Sequence, residues 1–216
     1  MPMRMRRTSL VLVLIGLLAE VHLVGAVGYE NDFEKSQVGS TPDDFLILDG
    51  SFAVQEAAEN KFLELPGAPL DSYGLLFGPT DSTGQMASVR ILGISKGRRS
   101  PTFGLGLNGV PGFKLQVSPA KKQVELLRGD AAVLSAPFNW ISGKWTWFRV
   151  QLRKASDGTH LMEGKVWMEG QEEPKEWLVS FPVKDLPPSG RASIIGSPYA
   201  GTPIQFDDLK VSKLGN

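Results

Sequence analysis

The side chains best suited to holding a ligand are tryptophans that share a strand face with charged residues. In one alternating run, Trp145, Trp147 and Arg149 are two positions apart, so their side chains lie on the same side of a strand. In another run, Trp167 lies on the side of Glu163 and Lys165 for the same reason. Flat aromatic rings offer stacking surfaces for sugar rings, and interfaces are enriched in Trp. We therefore predict a ligand-binding surface built from these three Trp residues, Arg149 and Trp177, which follows a short acidic connection. The alternative interpretation is that the rings cover sheet edges or pack under loops.

Residue types that carry nucleophilic, metal or redox chemistry are scarce. The chain has no Cys and two His, and only His160 lies after residue 26. A Ser-His-Asp triad would have to use His160, which follows a turn signal at Asp157-Gly158. A zinc site needs more His or Cys ligands than this, and the sequence has no Gly-x-x-x-x-Gly-Lys phosphate loop. These counts favour a binding role over catalysis.

Two short charged segments also stand out. The acidic segment from Glu169 to Glu176 is interrupted by Gly170 and Pro174, so it predicts a solvated loop and not a strand with catalytic carboxylates. The basic segment Lys96–Arg99 lies between two alternating runs and predicts an exposed loop. A role of this basic loop in binding anionic glycans is an open alternative.

The first residues are typical of an export signal. Three Arg precede the unbroken apolar run Leu10–Ala19, and Ala26 offers a small residue at a cleavage point. Glu20 and His22 interrupt the apolar stretch well short of the roughly 20 residues that a membrane-spanning helix needs. We therefore predict a cleaved signal peptide over Met1–Ala26, no membrane span after it, and a secreted or periplasmic protein.

The rest of the chain is close to neutral. Removing residues 1–26 takes away three Arg and one Glu, which leaves 20 basic and 22 acidic residues and a net charge of −2. Because a nucleic-acid binder needs a basic footprint, this charge argues against a nucleic-acid partner. Residues 27–216 suit a single domain, and a core of that size holds together without disulfides.

Beyond residue 26 the hydrophobic pattern has a period of two. Phe113, Leu115 and Val117 alternate with Lys114 and Gln116, and other runs repeat the pattern between turn signals rich in Gly, Asp and Pro. The predicted strands are Phe45–Leu48, Phe52–Val54, Phe62–Leu65, Leu75–Phe77, Met86–Ile94, Phe103–Leu107, Phe113–Ser118, Gln123–Leu127, Trp145–Arg153, Leu161–Met168, Trp177–Ser180, Ala192–Gly196 and Ile204–Val211. So many short strands predict an all-β protein, a two-sheet antiparallel β-sandwich or jelly roll with little or no helix.

Three local features refine this prediction. Ala53–Asn60 contains good helix formers but follows a turn signal, so it is predicted as a strand end and a turn. Gly104 and Gly106 share one strand face, which permits the close approach of a backbone or ligand, or simply marks a tight bend or a flat packing spot. The apolar phase of the last strand slips by one residue at Asp207-Asp208, as at a β-bulge.

The ends of the mature chain carry a family resemblance. Asn31–Glu34 and Asp49–Val54 open it, and Ile204–Val211 closes it. These segments resemble the first and last strands of concanavalin A-like (laminin G-like) jelly-roll modules, and Gly164–Trp167 followed by Trp177 resembles a variant found in exported bacterial proteins. The resemblance implies the jelly-roll fold, which lectins, glycan-binding modules and some glycosidases share.

The resemblance also implies a structural metal. In related carbohydrate-binding jelly rolls, acidic residues of the opening and closing strands ligate calcium, and Asp32, Glu34, Asp207 and Asp208 have comparable places here. The alternative is that Asp207 and Asp208 mark a kink or cap loop amides. The pattern requires no other cofactor.

Several functions remain open. The Glu-x-Asp-x-x-Glu pattern of glucanases of this fold is absent, as is the Asn-Ser-Gly-Ile-type segment of 3-keto-disaccharide hydrolase-like domains. We expect a secreted carbohydrate-binding or interaction module that lacks catalytic activity, with a polysaccharide or glycan as partner. The alternatives are a glycoside hydrolase of either type that uses carboxylates from distant strands, and a structural domain that docks to an envelope protein.

Overall fold

A computed structural model describes residues 27–67 and 71–215, so the predicted signal peptide Met1–Ala26 lies outside the described residues. The described residues form fifteen strands and one 3-10 helix at Pro119–Lys121. The strands are β1 (Val27–Asn31), β2 (Leu46–Asp49), β3 (Ala53–Ala57), β4 (Asn60–Leu65), β5 (Tyr73–Asp81), β6 (Gln85–Gly93), β7 (Thr102–Leu107), β8 (Phe113–Ser118), β9 (Gln123–Arg128), β10 (Ala131–Pro137), β11 (Thr146–Lys154), β12 (His160–Met168), β13 (Val179–Val183), β14 (Gly190–Ser197) and β15 (Ile204–Lys213).

The strands form two antiparallel sheets. Sheet A has the order β13-β12-β11-β6-β15-β4-β3, and β1 pairs with β15 beside this path. Sheet B has the order β10-β9-β8-β7-β14-β5-β2. The predicted all-β, two-sheet sandwich is therefore confirmed. No helix within the described ranges has the length and apolar character that a membrane span requires.

The sheets share one hydrophobic core. On β8, Phe113, Leu115 and Val117 are fully buried, while Lys114 and Gln116 between them remain partly exposed. Phenylalanines from both sheets fill the centre, among them Phe103 of β7 and Phe148 of β11, whose rings meet edge to face at 5.9 Å. Each such side chain contributes roughly 1.5–3 kcal/mol when it leaves water. Alternation along each strand therefore fixes which side chains face outward.

Every predicted strand overlaps an observed one, although Trp177–Ser180 is shifted, since β13 begins at Val179. The sequence patterns missed β1 and β10. β1 is a short strand that holds only Val27 and Tyr29 as apolar side chains, and β10 begins with two Ala and ends at Pro137, so neither alternates clearly. Edge position explains the tolerated proline, because β10 is an edge strand of sheet B.

Two predicted irregularities are present. Ala53–Asn60 contains the whole of β3 and the tight turn to β4, in which Ala58 and Glu59 have φ values of 50° and 63°. The pairing of β15 with β6 shifts register between Asp207 and Lys210, and Asp208 has a φ of 52°. A shift of this kind is a β-bulge, which re-aims side chains. It directs the two aspartates toward a single arginine, as described below.

Candidate functional site

The outer face of sheet B is concave at β7. A β-carbon added to Gly104 would overlap the carbonyl oxygen of Leu115 on β8, and one added to Gly106 would overlap the hydroxyl of Ser193 on β14. The strands on both sides of β7 therefore lean toward the outer face, and only glycine leaves them room. Of the two interpretations of this glycine pair, the structure shows close backbone approach.

A groove of about 390 Å³ lies on this concave face, and we call it the central groove. Its apolar and aromatic walls are Leu127, Ile195 and Tyr199, and Tyr199 is 37% exposed. The polar lining comes from Ser72, Thr102, Lys114, Gln116, Ser118, Lys121, Glu125, Asp130 and Ser197. Amide and hydroxyl groups beside one exposed aromatic ring can hold a hydroxyl-rich ligand in one orientation.

The charges of the central groove are paired. Lys114 bonds Asp130 at 3.2 Å, and Lys121 bonds Glu125 at 2.7 Å. Burial works to raise the pKa of Glu125, but hydrogen bonds from Lys121 and Ser118 outweigh it and hold that pKa below its ordinary value. Glu125 is thus an anion at neutral pH and cannot protonate a leaving group. The groove presents no net charge to a ligand.

The predicted ligand-binding residues come together on the other sheet. Trp147 of β11 faces Trp167 of β12 directly, with ring centroids 6.0 Å apart and planes 11° from parallel. The guanidinium of Arg149 lies 5.9 Å from the Trp167 ring, and Trp177 and Trp145 lie on the same outer face. We call this surface of sheet A the tryptophan face. The alternation along β11 and β12 therefore places Trp147 and Trp167 on one outer face, as the sequence predicts.

Cations and a loop occupy much of the tryptophan face. Lys165 lies 4.6 Å from the Trp177 ring centroid, and the guanidinium of Arg90 lies 4.8 Å from that of Trp145. The acidic segment folds back over this face, where Glu173 bonds Arg149 and Lys165, both at 2.7 Å. Trp167 is only 7% exposed, whereas Trp145, Trp147 and Trp177 are half-buried. Cation–π contacts of this kind stabilise the sheet surface whether or not a ligand binds.

Asp207 and Asp208, two of the four acids predicted to ligate calcium, surround Arg90. Arg90 donates to Asp207 at 2.6 Å and lies 2.7 Å from the carboxylate of Asp208, and Asn60 donates to Asp207 at 3.0 Å. Burial raises the pKa of both aspartates, and Arg90 opposes that shift. The guanidinium therefore supplies the positive charge that a metal ion would bring.

The other two predicted calcium ligands have local partners. Asp32 accepts the backbone N–H of Glu34 at 3.2 Å, and Glu34 accepts the N–H of Lys61 at 3.0 Å. Across residues 27–67 and 71–215, no three His, Cys, Asp or Glu side chains are grouped so that they could hold a metal ion. The four acids as they stand do not form a calcium ligand set.

The segment Gly93-Ile94-Ser95-Lys96-Gly97 matches the Gly-x-Ser-x-Gly sequence motif of a nucleophile elbow. The segment connects β6 to β7, whereas a nucleophile elbow connects a strand to a helix. The hydroxyl groups of Ser95 and Ser100 form a hydrogen bond of 2.8 Å. His160 pairs with Lys154 at the end of β11 remote from this connection, so no triad forms with Ser95.

The residues of the central groove were not predicted. Most of them lie on β7, β8, β9 and β14, while Ser72, Lys121, Asp130 and Tyr199 lie in segments that flank the strands of sheet B. They become neighbours through the strand order of that sheet. The one local signal was the glycine pair of β7, because it marks the face on which side chains from both neighbouring strands converge.

Neither a family model nor a curated protein sequence matches this chain. Solved structures share its fold. The carbohydrate binding module CBM66 from Bacillus subtilis superposes with a TM-score of 0.55 at 10% identity, over 79% of this chain and 96% of that one. The carbohydrate recognition domain of Emp47p gives 0.57 at 11% identity, over 88% and 97%.

A third structure is a xylan β-1,4-xylosidase from Bacillus halodurans C-125, with a TM-score of 0.57 at 15% identity over 85% of this chain. The chain spans 39% of that xylosidase, which is a longer protein. At these identities the likeness concerns the fold alone, which is a jelly-roll β-sandwich.

Proposed function

We propose that this protein binds carbohydrate in the central groove without catalysing a reaction on it. The observation that carries the proposal is the lining of the central groove, where the polar residues Gln116, Ser197 and Thr102 lie beside the exposed Tyr199. Sugars need this combination of hydroxyl partners and one stacking surface. Two structural relatives, a carbohydrate binding module and a carbohydrate recognition domain, support the same class of ligand.

The charge pattern narrows the ligand class to neutral glycans. Both lysines of the groove are matched by a carboxylate at 3.2 Å or less, so an anionic sugar gains no unpaired cation there. An anionic ligand would have to compete with the carboxylate of each pair, and displacing Lys121 would leave the buried Glu125 carboxylate uncompensated. Neutral hydroxyl groups can instead bond Gln116 and the serines without disturbing the pairs.

The hydrolase alternative lacks a proton donor in the groove. Glycoside hydrolysis needs a carboxylic acid with a raised pKa and a second carboxylate across the scissile bond. The pKa of Glu125 is shifted in the opposite direction, and Asp130 is bonded to Lys114. Binding is therefore the function that the geometry supports better than hydrolysis.

The proposal includes export. Cleavage after Ala26 would release the domain from Val27 onward, outside the cytoplasm, as an exported laminin G-like module. The absence of Cys from the sequence fits a domain whose two-sheet core holds without disulfides in either redox compartment. N-terminal sequencing of the protein recovered from the culture medium or periplasm checks the cleavage point.

The tryptophan face stays as the second candidate surface. Its specific support is the assembly of four Trp on one sheet, with Trp145, Trp147 and Trp177 half-buried. A ligand there would have to compete with Arg90 or Lys165 for the ring faces. The central groove needs no such displacement, which is why we prefer it.

A glycan array separates the two surfaces. The Val27–Asn216 protein, which contains both sheets and the shared core, is compared with a groove variant, Tyr199→Ala, and a tryptophan-face variant, Trp177→Ala. Both substitutions remove one partly exposed aromatic ring, so each is the matched control of the other. We expect neutral glycans to bind the native protein and Trp177→Ala, and the signal to fall with Tyr199→Ala. Loss with Trp177→Ala alone would move the site to sheet A.

A further inference from the structure

One end of the sandwich carries a hydrogen-bonded basic loop that the proposed glycan site does not use. The connection from β6 to β7 folds into a small hairpin in which Lys96 and Arg99 exchange backbone hydrogen bonds of 3.0 and 3.2 Å. A neighbouring connection, from β10 to β11, is fastened to it, since Ser95 donates to the hydroxyl of Ser142 at 2.8 Å and Gly143 donates to Gly93 at 2.9 Å. The two connections therefore form one surface.

We call this surface the basic tip. It consists of the cations Lys96, Arg98, Arg99 and Lys144 and the aliphatic residues Ile94 and Ile141. All four cations are exposed, and within the part of the chain that the structure describes none has a carboxylate within 4.0 Å. Charges without partners repel one another and attract anions.

The nearby acidic segment does not neutralise the basic tip. It starts at the same end of the sandwich, where Glu169 donates its backbone N–H to Trp145 at 2.9 Å. It then folds over sheet A, and its carboxylates Glu169 and Glu173 bond Arg90 and Arg149. The chain thus uses these acids on the tryptophan face, and the cations of the tip remain available.

Exposed aliphatic side chains distinguish this surface from an ordinary basic loop. Ile94 is 42% exposed and Ile141 is 57% exposed. Both belong to connections that are held by hydrogen bonds, including one from the Thr202 hydroxyl to the carbonyl of Ile94 at 2.6 Å. Exposed apolar groups among cations on a fixed surface are the combination that binds the interface of an anionic bilayer.

We propose that the basic tip binds peripherally to the surface of an anionic lipid bilayer. The four cations contact lipid phosphates, and Ile94 and Ile141 enter the boundary between headgroups and acyl chains. An anionic polysaccharide would satisfy the cations equally well. It would give the isoleucines no apolar surroundings, whereas insertion into a bilayer gains binding free energy for each CH₂ group that leaves water. The lipid surface is therefore the partner that fits both features.

Vesicle co-sedimentation of the Val27–Asn216 protein tests the proposal. The probes are vesicles of phosphatidylcholine alone and vesicles with about 30% phosphatidylglycerol, which carries the anionic charge. We expect binding to the anionic vesicles only, with an affinity that falls as salt rises. The triple variant Lys96→Gln, Arg98→Gln, Arg99→Gln should bind roughly 100-fold more weakly, because each cation near such a surface contributes about a factor of five.

Two matched controls make the result specific. Lys35→Gln, Lys154→Gln and Lys184→Gln remove the same charge from exposed positions elsewhere and should leave binding nearly unchanged. Ile94→Ser with Ile141→Ser should weaken binding roughly ten-fold, whereas Val110→Ser with Leu186→Ser, also exposed, should not. Circular dichroism confirms that each variant folds.

Four outcomes would overturn the proposal. They are equal binding to neutral and anionic vesicles, no vesicle binding at all, equal losses in the two triple variants, and full binding by the isoleucine double variant. Retention on a soluble polyanionic polysaccharide without vesicle binding would identify an anionic glycan as the partner instead of lipid. None of these results depends on whether the central groove binds a neutral sugar.

Discussion

Replacing Arg90 with methionine should destabilise the fold strongly, because it removes the cation beside a buried carboxylate. Arg90 bonds Asp207 at 2.6 Å, Asp208 at 2.7 Å and Glu169 at 3.2 Å, and its guanidinium covers the Trp145 ring. Asp207 is 1% exposed, so Arg90→Met leaves a buried carboxylate without its cation. Removing one partner of such a pair costs about 3–5 kcal/mol. For a domain of this size the melting temperature should fall by roughly 6–20 °C.

The pH dependence of this loss identifies its cause. Burial already raises the pKa of Asp207, and the nearby Arg90 charge opposes that shift. Without Arg90 the folded-state pKa of Asp207 rises further above the unfolded value, so the folded variant binds the proton more tightly than the unfolded chain does. Its free energy of unfolding therefore increases as pH falls from neutral toward that raised pKa. The deficit relative to the native protein should be smaller in mild acid than at neutral pH.

Urea unfolding followed by tryptophan fluorescence measures the free energy of unfolding of the native protein and of Arg90→Met, at neutral pH and in mild acid. The rescue variant adds Asp207→Asn to Arg90→Met, which removes the unpaired charge while keeping the side-chain volume. It should recover more than half of the loss. A deficit below about 1 kcal/mol, the range of an exposed ion pair, or a deficit that grows in mild acid would refute the reasoning about Arg90.

Further predictions concern the acids and the buried ring. Trp167→Ala should cost about 3–5 kcal/mol in urea unfolding, because the ring is 7% exposed and stacked on Trp147; a loss near zero would mean that the ring is not packed as described. Glu125→Gln should reduce the loss of unfolding free energy below pH 4.5, the ordinary pKa of Glu. A carboxylate whose pKa is lower in the folded than in the unfolded protein stabilises the fold above the unfolded-state pKa, and this contribution is lost as pH falls. An unchanged dependence of stability on acid pH would contradict the lowered pKa of Glu125. Calcium and a chelator should give the same melting temperature, because Arg90 supplies the charge beside Asp207 and Asp208; a higher melting temperature in calcium would show that the ion binds after all.

The strand pattern could be predicted because burial alternates along most strands. Runs such as Phe113–Ser118 have a fully buried apolar residue at every second position, and their observed bounds agree with the pattern. β1 and β10 could not be predicted in the same way, because they contain few large apolar side chains and gain their stability from pairing with β15 and β9. Pairing is a long-range property that local periodicity does not report.

The candidate site was predictable in part. Parity placed Trp147 and Trp167 on outer faces, and strand pairing then set them directly opposite each other. Local patterns could not show that Arg149 and Lys165 cover neighbouring rings, since those contacts depend on the acidic segment folding back over sheet A. The central groove could not be predicted from local patterns either, because it depends on the curvature of sheet B and on the adjacency of β7, β8 and β14.

The arginine beside Asp207 shows how a local signal can be right about geometry and incomplete about chemistry. The parity slip predicted a bulge, and the bulge is present between Asp207 and Lys210. The residue that satisfies the two aspartates is Arg90 on the adjacent strand β6, which lies 117 positions earlier in the chain than Asp207. No pattern around the aspartates could have distinguished a guanidinium from a metal ion.

Isothermal titration of one neutral oligosaccharide, chosen as the best ligand on the array, tests the central claim most directly. The native Val27–Asn216 protein is compared with Gln116→Ala in the central groove and with Trp177→Ala on the tryptophan face. We expect Gln116→Ala to weaken binding about ten-fold, the effect of one or two lost hydrogen bonds, and Trp177→Ala to bind like the native protein. Unchanged affinity in Gln116→Ala, with loss in Trp177→Ala, would contradict the central claim.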